Sequence, residues 1–352
     1  MSLDTLRSFE WRRPLRVVLI AGPALWMLFT VVHLVVSGRY WWWRPADLLP
    51  PPIFLAMPVL LALAAVRCRR SRRPALVLCA GALAIGAPLS GLNLGGLMHA
   101  DRPIPPGAVR VVSWNTEYWY ETGQSDRFYA LLRAQRADVY LLQEYLRFPG
   151  RPVRIDDIAR LRAEFPGYQL VNAGELITLS AYPIVARQAL DAPEVPLPPG
   201  EDFPEYWRQK TLRTDISVGG RVLSVYNVHM PAPVSIGEHS VFSAPFWYTI
   251  RNLNQNREAH LRALAQDVAS NRLPILVAGD MNITPVMGDR LRFPAGLRDA
   301  IDASRSLYPE TFRTWWRLDW VLVSPEVTVD RYEFRDPATL SDHRLQTLVV
   351  SL

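Results

Sequence analysis

Cysteine is scarce: Cys68 and Cys79 are the only two among 352 residues. Neither lies beyond residue 100, so no disulfide framework can hold the larger part of the chain together. The first hundred residues also lack lysine and nearly lack acids, with 11 arginines set against Asp4, Glu10 and Asp47. From residue 101 onward 28 basic residues face 30 acidic ones. The formal net charge of +6 is therefore the sum of +8 on the first hundred residues and −2 on the rest. A hydrophobic content of 49% excludes a disordered or collagen-like chain, and no internal repeat is present.

What the first hundred residues do have is long apolar runs. Val17 to Ser37 contains no Asp, Glu, Lys or Arg, a length suited to a helix crossing roughly 30 Å of hydrocarbon. It exceeds a signal-peptide core and no small-residue cleavage site follows it. Ala75 to Ala100 is a second uncharged run, with glycines and alanines that let helices approach closely. Leu48 to Val66 is a third, interrupted by Pro50, Pro51, Pro52 and Pro58, so it could span or be re-entrant. These runs predict a membrane region over 1–100 with spans at about 17–37, 48–66 and 75–98. Arg7, Arg12, Arg13 and Arg16 before the first span, and Arg67, Arg69, Arg70, Arg72 and Arg73 between the last two, place both clusters in the cytoplasm. With three spans, everything after residue 100 is then extracytoplasmic. Tyr40, Trp41, Trp42 and Trp43 fit an interfacial belt, and the arginine excess reads as topology and lipid contact instead of nucleic-acid binding.

A proline-bearing linker, 101–107, leads into a strand-rich α/β region, 108–352. Strands are expected at Val109–Trp114, Val139–Gln143, Tyr168–Asn172, Leu176–Leu179, Ile184–Leu190, Thr211–Val218, Val222–His229, Ile275–Ala278, Asp319–Ser324 and Thr347–Leu352. Helices are expected near Ser125–Arg136 and at Leu253–Ser270. The stretches Asp191–Tyr206 and Met230–Tyr248 read as surface loops; the second carries Phe242, Phe246, Trp247 and Tyr248, which could enter a lipid interface or cover the core.

Polar residues recur where the apolar strand runs end. Asn115, Glu144, His229 and the pair Asp280 and Asn282 follow such runs, while Asp319, Asp342 and His343 precede them. Strand ends collect such groups along one sheet edge, where α/β folds build sites. In order, Trp114-Asn115, Gln143-Glu144, Val228-His229, Gly279-Asp280-Met281-Asn282, Leu318-Asp319-Trp320-Val321 and Ser341-Asp342-His343 resemble the endonuclease/exonuclease/phosphatase superfamily, which includes DNase I, repair nucleases, inositol phosphatases and sphingomyelinases. Two departures stand out. Glu117 occupies the second Asn position of the nucleases' N-x-N motif, and Ala181 stands where an Arg is usual.

The resemblance implies a four-layer α/β sandwich, two packed mixed sheets flanked by helices, behind the three transmembrane helices. It implies Mg²⁺ or Mn²⁺ held by Asn115, Glu144 and Asp342, oxygen donors that suit a hard cation. It further implies that Asp280 activates water, that Asn282, His229 and His343 contact phosphoryl oxygens, and that Asp319 orients His343. The near-neutral hydrolase region argues against a duplex-tracking nuclease. Together with tethering at the bilayer, it favours a lipid-linked phosphate or pyrophosphate on the outer surface. The layout is similar to that of teicoplanin-resistance membrane proteins, a subgroup linked to antibiotic resistance. A tethered extracellular nuclease is the alternative enzyme, and a non-catalytic binding module the alternative from another class.

Overall fold

The computed structural model describes residues 3–66, 72–98, 103–120, 123–235, 237, 239–313 and 315–352, with side chains described from residue 17. Arg67, Arg69 and Arg70 of the basic connection, Asp101 and Arg102 of the linker, and two residues of the 230–248 loop lie outside that set. So do the side chains of Arg7, Arg12, Arg13 and Arg16. The chain divides into two units, one of Met1–Leu92 with Thr284–Arg290, the other of Asn93–Ile283 with Leu291–Leu352.

In the first unit, helices α1 (Leu3–Val36), α2 (Ile53–Val66) and α3 (Arg72–Gly86) pack against one another. Val17–Val36, with a mean hydropathy of 2.1, and Arg72–Leu89, with 1.2, are long and apolar enough to cross a membrane. Val17, Leu25 and Val77 are all exposed, an arrangement water penalises and hydrocarbon does not. The expected span 48–66 is shorter: after Pro50, Pro51 and Pro52, α2 has 14 residues, about 21 Å of helix. The expected span 75–98 is shorter too, because α3 ends at Gly86 and runs on only as a tight turn to Leu89. The aromatic cluster splits, with Tyr40 and Trp42 exposed and Trp43 turned inward to donate to His33 at 3.0 Å. Thr284–Arg290, expected with the α/β region, belongs here: buried Arg44 pairs with both Asp47 and Asp289.

The second unit is built on two six-stranded sheets. The first contains β1 (Val109–Asn115), β2 (Val139–Gln143), β3 (Gln169–Ala173) and β4 (Leu176–Ser180). The second contains β5 (Ile184–Asp191), β6 (Gln209–Val218), β7 (Arg221–His229), β8 (Ile275–Asp280), β9 (Arg298–Asp299) and β10 (Asp319–Val323). The chain returns to the first sheet with β11 (Thr328–Arg335) and β12 (Leu345–Ser351), giving the orders β11-β12-β1-β2-β4-β3 and β9-β10-β8-β7-β6-β5. Each sheet has one parallel pair at its centre, β1 with β2 and β7 with β8; the other pairings are antiparallel. Neither β11 nor the short helix Ile158–Glu164 stood out in the sequence, since Thr328–Arg335 carries charge at four of its eight positions.

Side chains two apart on a strand share a face, and the sheets use that period directly. Val109 and Val111, Val139 and Leu141, Leu223 and Val225, Leu276 and Ala278 form one cluster between the sheets. The alternate positions Val112, Trp114, Tyr140 and Leu142 face outward, against Phe128, Tyr129 and Leu132 of α4 (Ser125–Gln135) and against Leu161 and Phe165. The other outer face meets α5 (Ala244–Ser270), which packs on β5 and β6. The architecture is thus the mixed two-sheet α/β sandwich. Helix α5 begins nine residues before the expected Leu253, because Pro245 opens its first turn instead of breaking it. Phe246, Trp247 and Tyr248 are therefore helical and not part of a loop, with Phe246 buried, while Phe242 is 96% exposed.

Candidate active site

The apolar inner face does not run to the ends of the strands. Along β1 it passes to Ser113 and Asn115, along β2 to Gln143, along β7 to Asn227 and His229, and along β8 to Asp280. All four strands run toward the same edge, and β10 and β12 start from it, which brings Asp319 opposite Asp280 in register. Behind the edge Gln143 donates to Asn227 at 2.7 Å, and Asn227 donates to the carbonyls of Leu142 and Ile177, so buried amides tie the sheets together. Gly279 lets β7 and β8 close up at this level. A Cβ there would stand 2.0 Å from the Val228 carbonyl oxygen.

All eight expected residues meet at this edge, with Asp280 at the hub. Its Oδ2 accepts from Asn115 Nδ2 at 3.1 Å and from Asn282 Nδ2 at 3.2 Å, and lies 3.6 Å from His229 Nε2 and 3.7 Å from His343 Nε2. Asn115 also donates to Glu144 Oε1 at 3.0 Å, while its own oxygen accepts from the Glu117 backbone. Asn282 donates in addition to the Met230 carbonyl at 2.9 Å. Asp319 Oδ2 holds His343 Nδ1 at 2.9 Å. Asp342 stands at the rim, a third exposed, with His343 Nε2 at 4.0 Å and Arg313 at 3.8 Å. Ser341 braces the β1 end by donating to the Asn115 carbonyl at 2.8 Å.

Two further side chains, Glu175 and Lys210, were not singled out from the sequence, and the turn after Asn115 adds a third contribution of which only Glu117 was noted. Glu175, at the hairpin tip between β3 and β4, lies fully buried with Oε1 3.0 Å from His229 Nδ1. Lys210 pairs with the same oxygen. The backbone of Glu117 to Tyr120 adopts positive φ at four successive residues, all between 50° and 60°, a strained conformation for non-glycine residues. That turn aims the Tyr118 N–H at Glu144 Oε2, 3.0 Å away, and the Glu117 carboxylate at the Asp342 N–H, 3.0 Å away. Glu144 itself sits at φ 62°. An acid after a glycine in a tight turn reads as a solvated turn residue, so Glu175 carries no local signal. Only the pairing of the two sheets buries it against β7.

The charges are strongly coupled. Burial alone would lower both imidazoles, but the carboxylates outweigh it. Glu175, Asp280 and Glu144 push His229 up to about 9, and Asp319, Asp280 and Asp342 push His343 up to about 10. Burial would raise Glu175, but His229 and Lys210 hold it down at about 2. Asp280 is raised by burial, reinforced by Asp319 and opposed by the two imidazoles. Glu144 is raised by burial as well. Two imidazolium N–H groups and one carboxylate of heightened basicity therefore face a common point.

The donor set also suits a divalent cation. Among the described residues no three His, Cys, Asp or Glu side chains are gathered as a ready cage. Mg²⁺ does not require one, since it binds through one or two carboxylates and keeps waters. Glu144, with Asn115 beside it and Asp342 at the rim, offers hard oxygens in a cluster where carboxylates outnumber cations. A divalent ion there would neutralise charge on a phosphoryl group. The side chains supply the rest. A phosphate that took the Nε2 hydrogens of His229 and His343 would draw them away from Asp280 and leave its Oδ2 able to accept a proton from water.

Residues 112–343 match the endonuclease/exonuclease/phosphatase family, well over half of the chain. A humanized D. rerio TDP2 carrying 14 mutations aligns with 70% of this chain and 100% of its own at 16% identity and a TM-score of 0.52. An endonuclease/exonuclease/phosphatase from Beutenbergia cavernae aligns with 70% of this chain and 72% of its own at 21% identity and a TM-score of 0.51. At these identities the likeness is one of fold. Among curated proteins none matches the chain in sequence. The chain belongs to the endonuclease/exonuclease/phosphatase family and is a metal-dependent hydrolase of phosphoric esters or anhydrides.

Proposed function

We propose that the protein is a membrane-anchored phosphohydrolase with an extracytoplasmic site, acting with Mg²⁺ on a lipid-linked phosphate or pyrophosphate at the outer membrane surface. The observation that carries this reading is that span-length apolar helices, Val17–Val36 and Arg72–Leu89, precede a hydrolase region without basic surplus. A substrate embedded in the same bilayer needs no basic face to find the enzyme, whereas a duplex-tracking nuclease gains affinity from one. Two arginines of the hydrolase region's helical face are engaged with acids: Arg160 pairs with Glu164 and Asp126, and Arg133 with Glu164. Three spans, with Ile53–Val66 as the short middle one, put both arginine clusters on the cytoplasmic side. The layout is similar to that of the teicoplanin-resistance membrane proteins, which connects the reading to recycling of polyprenyl pyrophosphate.

In this role Asn115, Glu144 and Asp342 hold the cation. His229, His343 and Asn282 bind the phosphoryl oxygens, Asp280 activates water, and Asp319 keeps His343 oriented and charged. The test is a substrate profile of the full-length protein in detergent with Mg²⁺, against a polyprenyl pyrophosphate, a sphingomyelin-type lipid and plasmid DNA. Release of phosphate from the polyprenyl substrate is expected. Cleavage of DNA alone would replace the lipid reading with a tethered nuclease, and no hydrolysis of any substrate would leave a binding module. Protease added to intact cells should cut the 103–352 region, and protection of that region would reverse the orientation.

A further inference from the structure

Of the 39 basic side chains, 38 are arginine; Lys210 is the one lysine in the chain. It is not at the surface, where lysine usually sits. Lys210, the second residue of β6, is 5% exposed and its ammonium pairs with Glu175 Oε1. The same oxygen lies 3.0 Å from His229 Nδ1, and the far nitrogen of that ring, Nε2, faces Asp280 Oδ2 at 3.6 Å. The Tyr206 ring covers the ammonium at 3.8 Å. His260, pushed down to about 4 by burial and by Lys210, stands nearby as a neutral ring.

The backbone shows that this row is built to close tolerance. Gly174, at φ 53°, leaves no room for a Cβ, which would meet the Glu205 carbonyl oxygen at 2.8 Å and that of Gln209 at 3.0 Å. The hairpin tip carrying Glu175 is thus seated on the chain immediately before Lys210. The Tyr145 N–H, donating to the Glu175 carbonyl at 2.7 Å, fixes it from the other side. In so confined a space a compact ammonium can share one carboxylate oxygen with an imidazole, whereas a planar guanidinium fork needs more room and engages both oxygens.

We infer that Lys210 is a positioning residue of the hydrolytic site, holding the buried Glu175 carboxylate against His229 Nδ1 so that His229 presents its Nε2 hydrogen to the phosphoryl group. The inference rests on the hydrolase reading and deepens it. Lys210 does not touch the substrate; it acts through Glu175.

That dependence is testable in the full-length protein in detergent, with Mg²⁺ and bis(4-nitrophenyl) phosphate as probe. Lys210→Met should lower kcat about 10- to 100-fold, the scale typical of losing a partner that orients a site ligand, with KM little changed. Stripping one member of a buried pair is the disruptive change, so the double variant Lys210→Met/Glu175→Gln, which removes both charges, guards against misfolding. It should be no slower than Glu175→Gln alone. Wild-type kcat in Lys210→Met, or losses that multiply in the double variant, would overturn the inference. Independently of turnover, the ¹⁵N shift of His229 Nδ1, assigned by its loss in His229→Asn, should move in Lys210→Met; an unmoved signal would also overturn it. Absence of turnover in the wild type would instead count against the hydrolase reading, with the imidazole signal still deciding the place of Lys210.

Discussion

Asp280 is held in place by neighbours, and each of them can be removed singly. It receives two amide hydrogens, from Asn115 and Asn282, and faces two imidazolium rings. Replacing it by alanine removes the carboxylate proposed to activate water but leaves the apolar layer intact. Asp280→Ala should therefore lower kcat on bis(4-nitrophenyl) phosphate about 10²- to 10⁴-fold, with the circular dichroism spectrum unchanged. Near-wild-type turnover would remove Asp280 from the water-activating role. The imidazoles carry a second consequence at this scale. Both are raised above the ordinary 6.5, His229 to about 9 and His343 to about 10. Their contribution to stability is then fully present below the unfolded value and is lost as the pH rises through the folded ones. In EDTA the thermal midpoint of the full-length protein should fall between about pH 7 and pH 10, and His343→Gln should flatten that fall. A midpoint that rises over the range would contradict the pairing of His343 with Asp319.

At the scale of elements, one period of two does both jobs. Alternate residues of β1, β2, β7 and β8 are apolar through the middle of the sandwich and polar at its edge, so the strands that build the core also deliver the site. This works only if neighbouring strands come close where the polar residues begin, and Gly279 is where the contact is tightest. At φ 146° and with no space for a Cβ, Gly279→Ala should cost about 3 kcal/mol or more, since neither backbone can yield without breaking the ladder. Denaturant unfolding in detergent measures it. A loss under about 1 kcal/mol would show that β7 and β8 can part there, against the overpacking cost expected of a filled site.

At the scale of the whole molecule, net charge is a misleading descriptor. The excess sits among the apolar helices and the hydrolase region is close to balanced. A site so rich in carboxylates needs a cation to accept a phosphate. Activity should fall to background in EDTA and return with added Mg²⁺, and hydrolysis that persists in EDTA would contradict the metal dependence. The EDTA-treated protein should stay folded, because the imidazolium rings and Lys210 already balance Glu175, Asp280 and Asp319.

Every strand but β9 and β11, and the polar strand ends, were legible in the sequence because alternation and β-branched composition are local signals, and Asn115, Glu144, His229, Asp280, Asn282, Asp319, Asp342 and His343 sit in short ordered motifs. The start of α5 was not, since Pro245 both opens helices and ends them. Glu175 and Lys210 were illegible for a different reason. Each is an ordinary charged residue beside a turn, and only the pairing of β6 with β7 and the seating of the hairpin tip bury them together. Sequence alone determined the family, the strand-rich sandwich and the apolar character of the first hundred residues, because these depend on periodicity, motif order and composition. Tertiary structure decided which carboxylate holds which imidazole, how far each helix runs, and that Thr284–Arg290 packs with the helical unit, because those depend on contacts between residues far apart in the chain.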